Sequence, residues 1–173
     1  MINYRKVLNL MSKGGKPTYI NITGQVREAI AESGVKEGVC YVISPHTTCS
    51  VFFEEFVHDE DENGNDFLQL DLNEVLDKII PENVREGQYH YPGEKHYEAV
   101  ASWPDAAAYL PNGDRSALLN CDAHLRSTLL GSSQIFDVTG GKLGAGTTGY
   151  IYFVDFDRTR ARPRRCVIRI MGD

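Results

Sequence analysis

Residues 120–131 read Asn-Cys-Asp-Ala-His-Leu-Arg-Ser-Thr-Leu-Leu-Gly, and this stretch predicts a short helix that starts with polar chemistry. Asn120 or Asp122 can cap the first turn, because a short side-chain oxygen accepts from backbone N–H groups that have no helical partner. Gly131 stands where a helix ends through a left-handed residue. The free N–H donors and the dipole at a helix start also favour a bound anion.

The side chains of this helix divide into an apolar and a polar face. Leu125 and Leu129 are four residues apart and are expected to anchor one face, while His124 lies on another. Asp122 and Arg126 add a carboxylate and a guanidinium close by. This is more polar chemistry than a short buried helix needs, and we interpret the helix as half of an active or metal site.

The composition is that of an ordinary globular protein. The chain has 173 residues, 42% hydrophobic and 24% charged, which suits a single domain over residues 1–173 that buries roughly 70% of its unfolded surface. The net charge of −6 argues against nonspecific nucleic-acid binding. The four cysteines form no Cys-x-x-Cys pair, so no disulfide framework or zinc ribbon is indicated. Because residues 1–6 do not resemble a signal peptide and no apolar run could span a membrane, we expect a cytoplasmic protein with no membrane partner.

Strand patterns dominate both ends of the chain and helical patterns the middle, which predicts an α+β fold with mixed or antiparallel sheets and about three helices. Strands are expected at residues 2–10, 19–22, 39–44, 49–56, 134–139, 150–156 and 166–171, and helices at residues 23–33, 68–79 and 120–131. The runs 39–44 and 49–56 are expected to pair. Residues 82–116 show no strong periodicity, but their aromatic residues suggest an ordered segment packed over something, and long loops are often functional.

Three histidines are adjacent to short polar residues at junctions between elements: His46, His96 and His124. Imidazoles that converge from different elements, completed by a carboxylate or water, can hold a metal ion. The alternative is that one is a hydrogen-bonded core histidine and the others lie on the surface. His90 competes with His96 for the same role, and His58, within an acidic run, is expected to be solvated.

Two further patterns favour ordinary structural explanations. The arginine-rich run at residues 158–165 could hold phosphates or a partner subunit, but we favour a solvated connection that offsets the acidic surplus. Cys49, three residues beyond His46, could be a nucleophile or a ligand, but a free cysteine is more often a small buried residue.

Several of these motifs together resemble the YjbQ-like family, whose members are often labelled secondary thiamine-phosphate synthase. The resemblance rests on His46-Thr47-Thr48 after a buried strand, Glu55 nine residues on, the run from Asp122-Ala123-His124-Leu125 to Leu129-Leu130-Gly131, and a closing strand pair with an Asp-Arg-rich turn. It covers nearly the whole chain. It implies a compact α+β subunit that assembles as a homotrimer around a metal-binding cluster.

The resemblance also implies roles for individual residues. His46 and His124 would be metal ligands, with His96 favoured over His90 as the third, and the ion would be divalent, zinc or magnesium. Glu55 matches the family's acidic position. Glu55, Asp122 and Arg126 would then be catalytic, the carboxylates by orienting a ligand histidine or moving a proton and the guanidinium by stabilising a leaving group.

The implied reaction joins a pyrimidine-methyl pyrophosphate to a thiazole phosphate and releases pyrophosphate, so the partner would be a small phosphorylated substrate. A metal-dependent hydrolase using the same histidines is one alternative. A non-catalytic trimeric protein that binds a small anion is another. Residues 143–148 and 157–160 depart from the family's usual segments, and residues 103–114 are an insertion that shorter members lack, which indicates a distinct subgroup.

Overall fold

Eight strands and four α-helices build the fold in the computed structural model, which describes residues 1–173. The strands are β1 (Ile2–Ser12), β2 (Thr18–Asn21), β3 (Glu37–Ile43), β4 (Cys49–Glu55), β5 (Ser133–Thr139), β6 (Lys142–Leu143), β7 (Gly149–Asp155) and β8 (Arg162–Gly172). The helices are α1 (Thr23–Ser33), α2 (Phe67–Ile79), α3 (Glu94–Ala101) and α4 (Cys121–Leu130). The α+β expectation is confirmed, with one helix more than the sequence predicted.

The strands form two antiparallel sheets. One has five strands in the order β1-β8-β3-β5-β6, and the other has three in the order β2-β7-β4. The expected pairing of residues 39–44 with 49–56 is wrong, because β3 and β4 belong to different sheets. Val42 on β3 and Val51 on β4 both enter the same core, so the two strands face each other across it.

The main core is a cluster of 17 buried residues that joins the two sheets and α1. Phe153 of β7 and Ile30 of α1 are almost fully buried in it, and each such side chain contributes about 1.5–3 kcal/mol. The other face of β7 is covered by α2 and α4, through contacts of Val154 with Leu76 and Ala123. Both faces of β7 are covered, and its sequence is therefore continuously apolar, as expected for a fully buried strand.

Helix α1 begins without a side-chain cap at the expected Thr23, whereas Gly34 ends it and Asp66 starts α2. Gly34 ends α1 with a φ of +73°, which favours glycine. The Asp66 side chain caps α2 by accepting from the backbone N–H of Leu68 at 2.8 Å. The apolar repeat of α2 predicted the helix but not its burial, since Ile79 remains 61% exposed.

The structure corrects two expectations about α4. The side chain of Asn120, the residue that precedes the helix, makes no capping hydrogen bond. Leu125 and Leu129 do not anchor the helix, because they are 42% and 59% exposed. The buried face instead carries the smaller Ala123 and Ser127, which let the helix pack closely against β4.

Residues 82–116 are ordered and packed, as their aromatic content suggested. They contain α3, which the sequence analysis did not predict, followed by three short 3₁₀ turns. Tyr97, Val100, Leu110 and Leu118 form a small core of their own in this part of the chain. No helix in the structure combines the length and the apolar surface needed to cross a bilayer.

Candidate functional site

All three histidines predicted from the sequence line one pocket of about 300 Å³, which we call the histidine pocket. Its lining residues are Pro45, His46, Thr47, Thr48, Tyr91, His96, Val100, Trp103, Tyr109, Leu118, Asn120, His124, Arg162 and Arg164. They come from the connection between β3 and β4, from residues 91–120, from α4 and from β8. His90, the alternative to His96, is exposed and is not among them.

His46 lies just past the end of β3 and holds that end to β8. Its Nε2 accepts a hydrogen bond from the backbone N–H of Arg165 at 2.9 Å, beyond the point where the pairing of β3 with β8 stops. Burial lowers the pKa of His46, and the nearby charges of Arg164 and Arg165 lower it further. The imidazole is thereby favoured in its neutral form.

Tyr91 lies between the other two histidines. Its hydroxyl oxygen is 3.0 Å from Nε2 of His96, and its ring meets the His124 ring edge to face with the centroids 5.4 Å apart. Burial lowers the pKa of His124, while the Asp157 carboxylate and a hydrogen bond to the Thr47 backbone oppose that shift. A fixed Tyr–His pair beside a second, neutral imidazole can accept, donate or relay a proton.

Two arginines and two aspartates, which we call the Asp–Arg cluster, underlie the pocket. Arg164 donates from Nε to Asp155 at 2.7 Å, and Nη2 of Arg162 is 2.8 Å from Oδ2 of Asp157. Asp155 is 1% exposed and Asp157 is 1% exposed. Burial alone would raise the pKa of Asp155. The hydrogen bonds from Arg164 and the positive charge of its guanidinium outweigh burial, so the pKa of Asp155 is lowered.

The position of the Asp–Arg cluster follows from strand alternation. Arg162 and Arg164 share a face of β8 with Cys166, Ile168 and Ile170, because successive side chains of a strand point to opposite faces. The inward face of this strand is therefore apolar along most of its length and cationic at one end. The cluster forms the polar end of the core between the two sheets.

One positive charge beside the pocket has no carboxylate partner. Arg160 makes no ion pair, donates instead to the Tyr109 carbonyl at 2.8 Å, and has its guanidinium 5.7 Å from the centre of the Tyr109 ring. Burial and the charge of Arg162 lower its pKa. Arg162 and Arg164 are matched by two aspartates, so Arg160 gives this side of the pocket an excess of positive charge.

Asn120 presents an unused acceptor in the same region. Its Nδ2 donates to Asp157 at 2.9 Å, whereas its Oδ1 is buried without a hydrogen-bond partner. A buried acceptor without a partner costs about 1–3 kcal/mol.

A second cavity of about 410 Å³, which we call the hydroxyl cavity, adjoins the histidine pocket. The two share Pro45, His46 and Thr47, and the remaining lining is Ser44, Ser127, Thr128, Gly131 and Ser132. His46 therefore lines two adjoining spaces, one lined otherwise by histidines and aromatic rings and the other by hydroxyl groups.

The arrangement does not fit a three-ligand metal site. No group of three or more His, Cys, Asp or Glu side chains is positioned to hold one ion. The Nε2 atoms of His46 and His96 are engaged by the Arg165 N–H and the Tyr91 hydroxyl. The histidines are neighbours around one pocket, but they do not converge on one point.

The structure does not bring the residues expected to be catalytic to the pocket. Glu55 is exposed at the end of β4 that is remote from the pocket-lining Thr48. The Arg126 guanidinium is completely buried and donates to the Ile80 carbonyl at 2.7 Å, which ties α4 to the end of α2. Asp122 is 3% exposed, and burial raises its pKa while the charge of Arg126 opposes the rise.

Sequence reasoning missed much of the pocket. The expectation that residues 158–165 form a solvated connection is wrong for Arg162 and Arg164, which begin β8 and face inward. A signal was present, because their spacing of two continues the alternation of the apolar residues that follow. Tyr91 and Trp103 carried no recognisable pattern. Cys49 is buried, as expected, and burial raises the pKa of its thiol.

Comparison with known proteins assigns the family. The model of the family described as UPF0047 protein YjbQ-like matches residues 8–173, so the chain belongs to that family. A UPF0047 protein of Archaeoglobus fulgidus is 33% identical over 143 residues, which cover 83% of this chain and 84% of that protein. UPF0047 protein MJ1081 of Methanocaldococcus jannaschii is 29% identical over 154 residues, covering 89% and 85%.

A crystal structure of the same family has the same fold. It is described as an uncharacterised conserved protein of the YjbQ/UPF0047 family from Clostridium acetobutylicum. It superposes with a TM-score of 0.67 at 28% identity and covers 96% of this chain and 99% of its own. The α+β architecture and the family resemblance are both confirmed.

Proposed function

We propose that this protein is an enzyme that acts on a small phosphorylated substrate bound in the histidine pocket. The observation that carries the proposal is the meeting of three imidazoles with Arg162 and Arg164 in one pocket, beside the unpaired charge of Arg160. Positive charge that is fixed in place stabilises the negative charge that develops on a departing phosphate group. Neutral imidazoles beside it can move a proton at neutral pH.

The reaction we propose is thiamine-phosphate synthesis, which the family resemblance suggests. The thiazole nitrogen attacks the methylene carbon of the pyrimidine-methyl pyrophosphate, a C–N bond forms, and the C–O bond breaks with its electron pair leaving on pyrophosphate. Two substrates need two neighbouring spaces, and the histidine pocket and hydroxyl cavity, which meet at His46, supply them.

A direct assay tests this reaction. Purified protein is mixed with both substrates, and pyrophosphate release and thiamine phosphate are measured, with rescue of a thiamine-auxotrophic strain as a second test. His124→Ala should abolish turnover, whereas His90→Ala, at an exposed position outside the pocket, should retain it. Absence of product, together with absence of pyrophosphate binding by calorimetry, would reject the proposal.

A hydrolase is the second candidate, favoured by the lowered pKa values of His46 and His124. An imidazole that is neutral at physiological pH can act as a general base toward water. Turnover of a panel of phosphoesters and amides, without the two-substrate reaction, would support this candidate. The panel should be run on protein that has been chelated and on protein reloaded with zinc or magnesium.

The same preparations test the divalent ion that the resemblance implies. Stoichiometric metal that is lost in His124→Ala would support a histidine site that rearranges to bind it. Protein that is active and free of metal would oppose a metal cofactor.

We also propose that the chain assembles as a homotrimer, as the resemblance implies. Exposed apolar side chains on α2 and α4 support self-association: Val75 is 53% exposed, Ile79 61% and Leu129 59%. Light scattering should give three times the 19.4 kDa mass of the chain. Leu129→Glu should lower the mass toward that of the monomer, and a monomeric wild-type protein would reject the assembly.

A further inference from the structure

Residues just before and after α3 contribute aromatic side chains to the histidine pocket. Tyr91, Trp103 and Tyr109, which we call the aromatic wall, all line it. The Trp103 ring meets that of Tyr109 edge to face at 5.1 Å, yet Trp103 remains 43% exposed. A large ring that lines a pocket and stays partly exposed leaves apolar surface for a ligand to cover.

Part of the aromatic wall packs against a small core. Val100 and Leu118, which also line the pocket, belong to that core, and Tyr109 packs against it. Arg115 stabilises the same core, with its guanidinium 4.4 Å from the centre of the Tyr97 ring. These contacts hold Tyr109, and Trp103 meets Tyr109 edge to face, so little ordering of these two rings opposes binding.

The same pocket also carries cationic chemistry. Arg162 and Arg164 line it, and the guanidinium of Arg160, which makes no ion pair, lies beside Tyr109. The pocket therefore suits a ligand that combines a negative group with a planar ring, because aromatic rings prefer offset or edge contacts with other flat rings.

We propose that the ligand carries a planar aromatic ring as well as its anionic group, and that Trp103 is the residue that selects the ring. This inference rests on the proposed function, since it assumes that the histidine pocket binds a phosphorylated molecule. It assigns the specificity of the pocket to the insertion, while Arg162 and Arg164, both on β8, bind the anion.

Two phosphonates of similar size and charge test the inference. Phenylphosphonate has a flat ring and cyclohexylphosphonate a puckered one, and a phosphonate resists hydrolysis. Calorimetry on the full chain should show phenylphosphonate binding about tenfold more tightly, the equivalent of one good ring contact. Trp103 is the single tryptophan of the chain, so phenylphosphonate should also change its intrinsic fluorescence.

Variants at position 103 complete the test. Trp103→Leu should reduce the preference to about twofold or less with the affinity for cyclohexylphosphonate unchanged, whereas Trp103→Phe, which keeps a ring, should retain the preference. Equal affinities in the wild-type protein, or a preference that survives Trp103→Leu, would overturn the inference and leave the proposed function standing. If neither phosphonate nor pyrophosphate binds, both proposals fail.

Discussion

Asp155 and Arg164 form a two-pronged ion pair at the polar end of the core. Nε of Arg164 donates to Oδ2 of Asp155 at 2.7 Å, and Nη2 donates to Oδ1 at 3.2 Å. Thr48 links the pair to the pocket, because its hydroxyl accepts from Arg164 at 3.1 Å and lies 3.2 Å from Asp155. The position of the Arg164 guanidinium in the pocket therefore depends on Asp155, a carboxylate that does not line the pocket.

Removing that carboxylate should be costly. Asp155→Asn leaves the buried Arg164 charge uncompensated, so the free energy of unfolding should fall by about 3 kcal/mol in urea denaturation. The double variant Asp155→Leu/Arg164→Met should lose less than the sum of its two single changes. Lys6→Met, which breaks a pair with the half-exposed Glu32, is the control and should cost far less, because solvent screens an exposed pair. Similar losses from both pairs would contradict this account.

The histidines should make stability depend on pH. A histidine whose folded pKa lies below its unfolded value binds more protons when unfolded, so stability is lost as pH falls from about 6.5 through the folded pKa. Burial lowers the pKa of both His46 and His124. His124→Gln should therefore make the decline in urea midpoint between pH 7 and pH 5 shallower. The exposed His90→Gln serves as control, and a slope that His124→Gln leaves unchanged would count against the role of burial.

Glu54 should make stability depend on pH in the opposite direction, with stability lost as the pH rises. Burial and the Asp66 carboxylate raise the pKa of Glu54 to about 7, against a hydrogen bond from Gln69. A group whose folded pKa is raised stabilises fully below its unfolded pKa, and that contribution is lost as pH rises through the folded value. Glu54→Gln should therefore raise the free energy of unfolding at pH 8 by ~1 kcal/mol, a value reduced for its partial exposure. No gain at pH 8 relative to pH 5 would refute the prediction.

Variants at Arg126 and Arg162 should distinguish a loss of stability from a loss of pyrophosphate binding. Arg126→Met removes the guanidinium that joins α4 to α2, so the free energy of unfolding should fall by about 2 kcal/mol with pyrophosphate affinity unchanged. Arg162→Met removes a cation that lines the pocket and should weaken pyrophosphate binding, and it should also lower the free energy of unfolding because the buried Asp157 loses its ion pair. Urea denaturation and calorimetry on both variants measure the two effects. Loss of affinity in Arg126→Met would restore the catalytic role that the sequence suggested for it.

Most elements of the fold could be predicted from the sequence, because buried faces produce regular patterns of apolar residues. The continuous apolar run of β7 and the Asp66 cap of α2 each specify an element through local chemistry. Helix α3 left no such trace, since it has eight residues and buries only Tyr97 and Val100. The placement of β3 and β4 in different sheets could not be predicted either. Two strands that bury side chains in one core have the same sequence pattern whether they are hydrogen-bonded to each other or face each other across the core.

The site was predictable only in part, for a related reason. His46 and His124 stand at junctions where short polar residues interrupt apolar runs, and that pattern marked them. Arg162 and Arg164 resembled a solvated loop, because a charged residue can enter the core only with a partner, and the charge pattern alone did not pair them with Asp157 and Asp155, which lie nearby in the chain. The pairs form only because the chain turns from β7 in one sheet to β8 in the other.

The position of β8 between β1 and β3 has a consequence for synthesis on the ribosome. Translation delivers β1 and β3 early, and both must wait with an open edge toward the gap that β8 fills. Arg162 and Arg164 emerge with that same strand. The histidine pocket is therefore incomplete until this strand has inserted, and a chaperone that shields the two open edges would act in the interval before that.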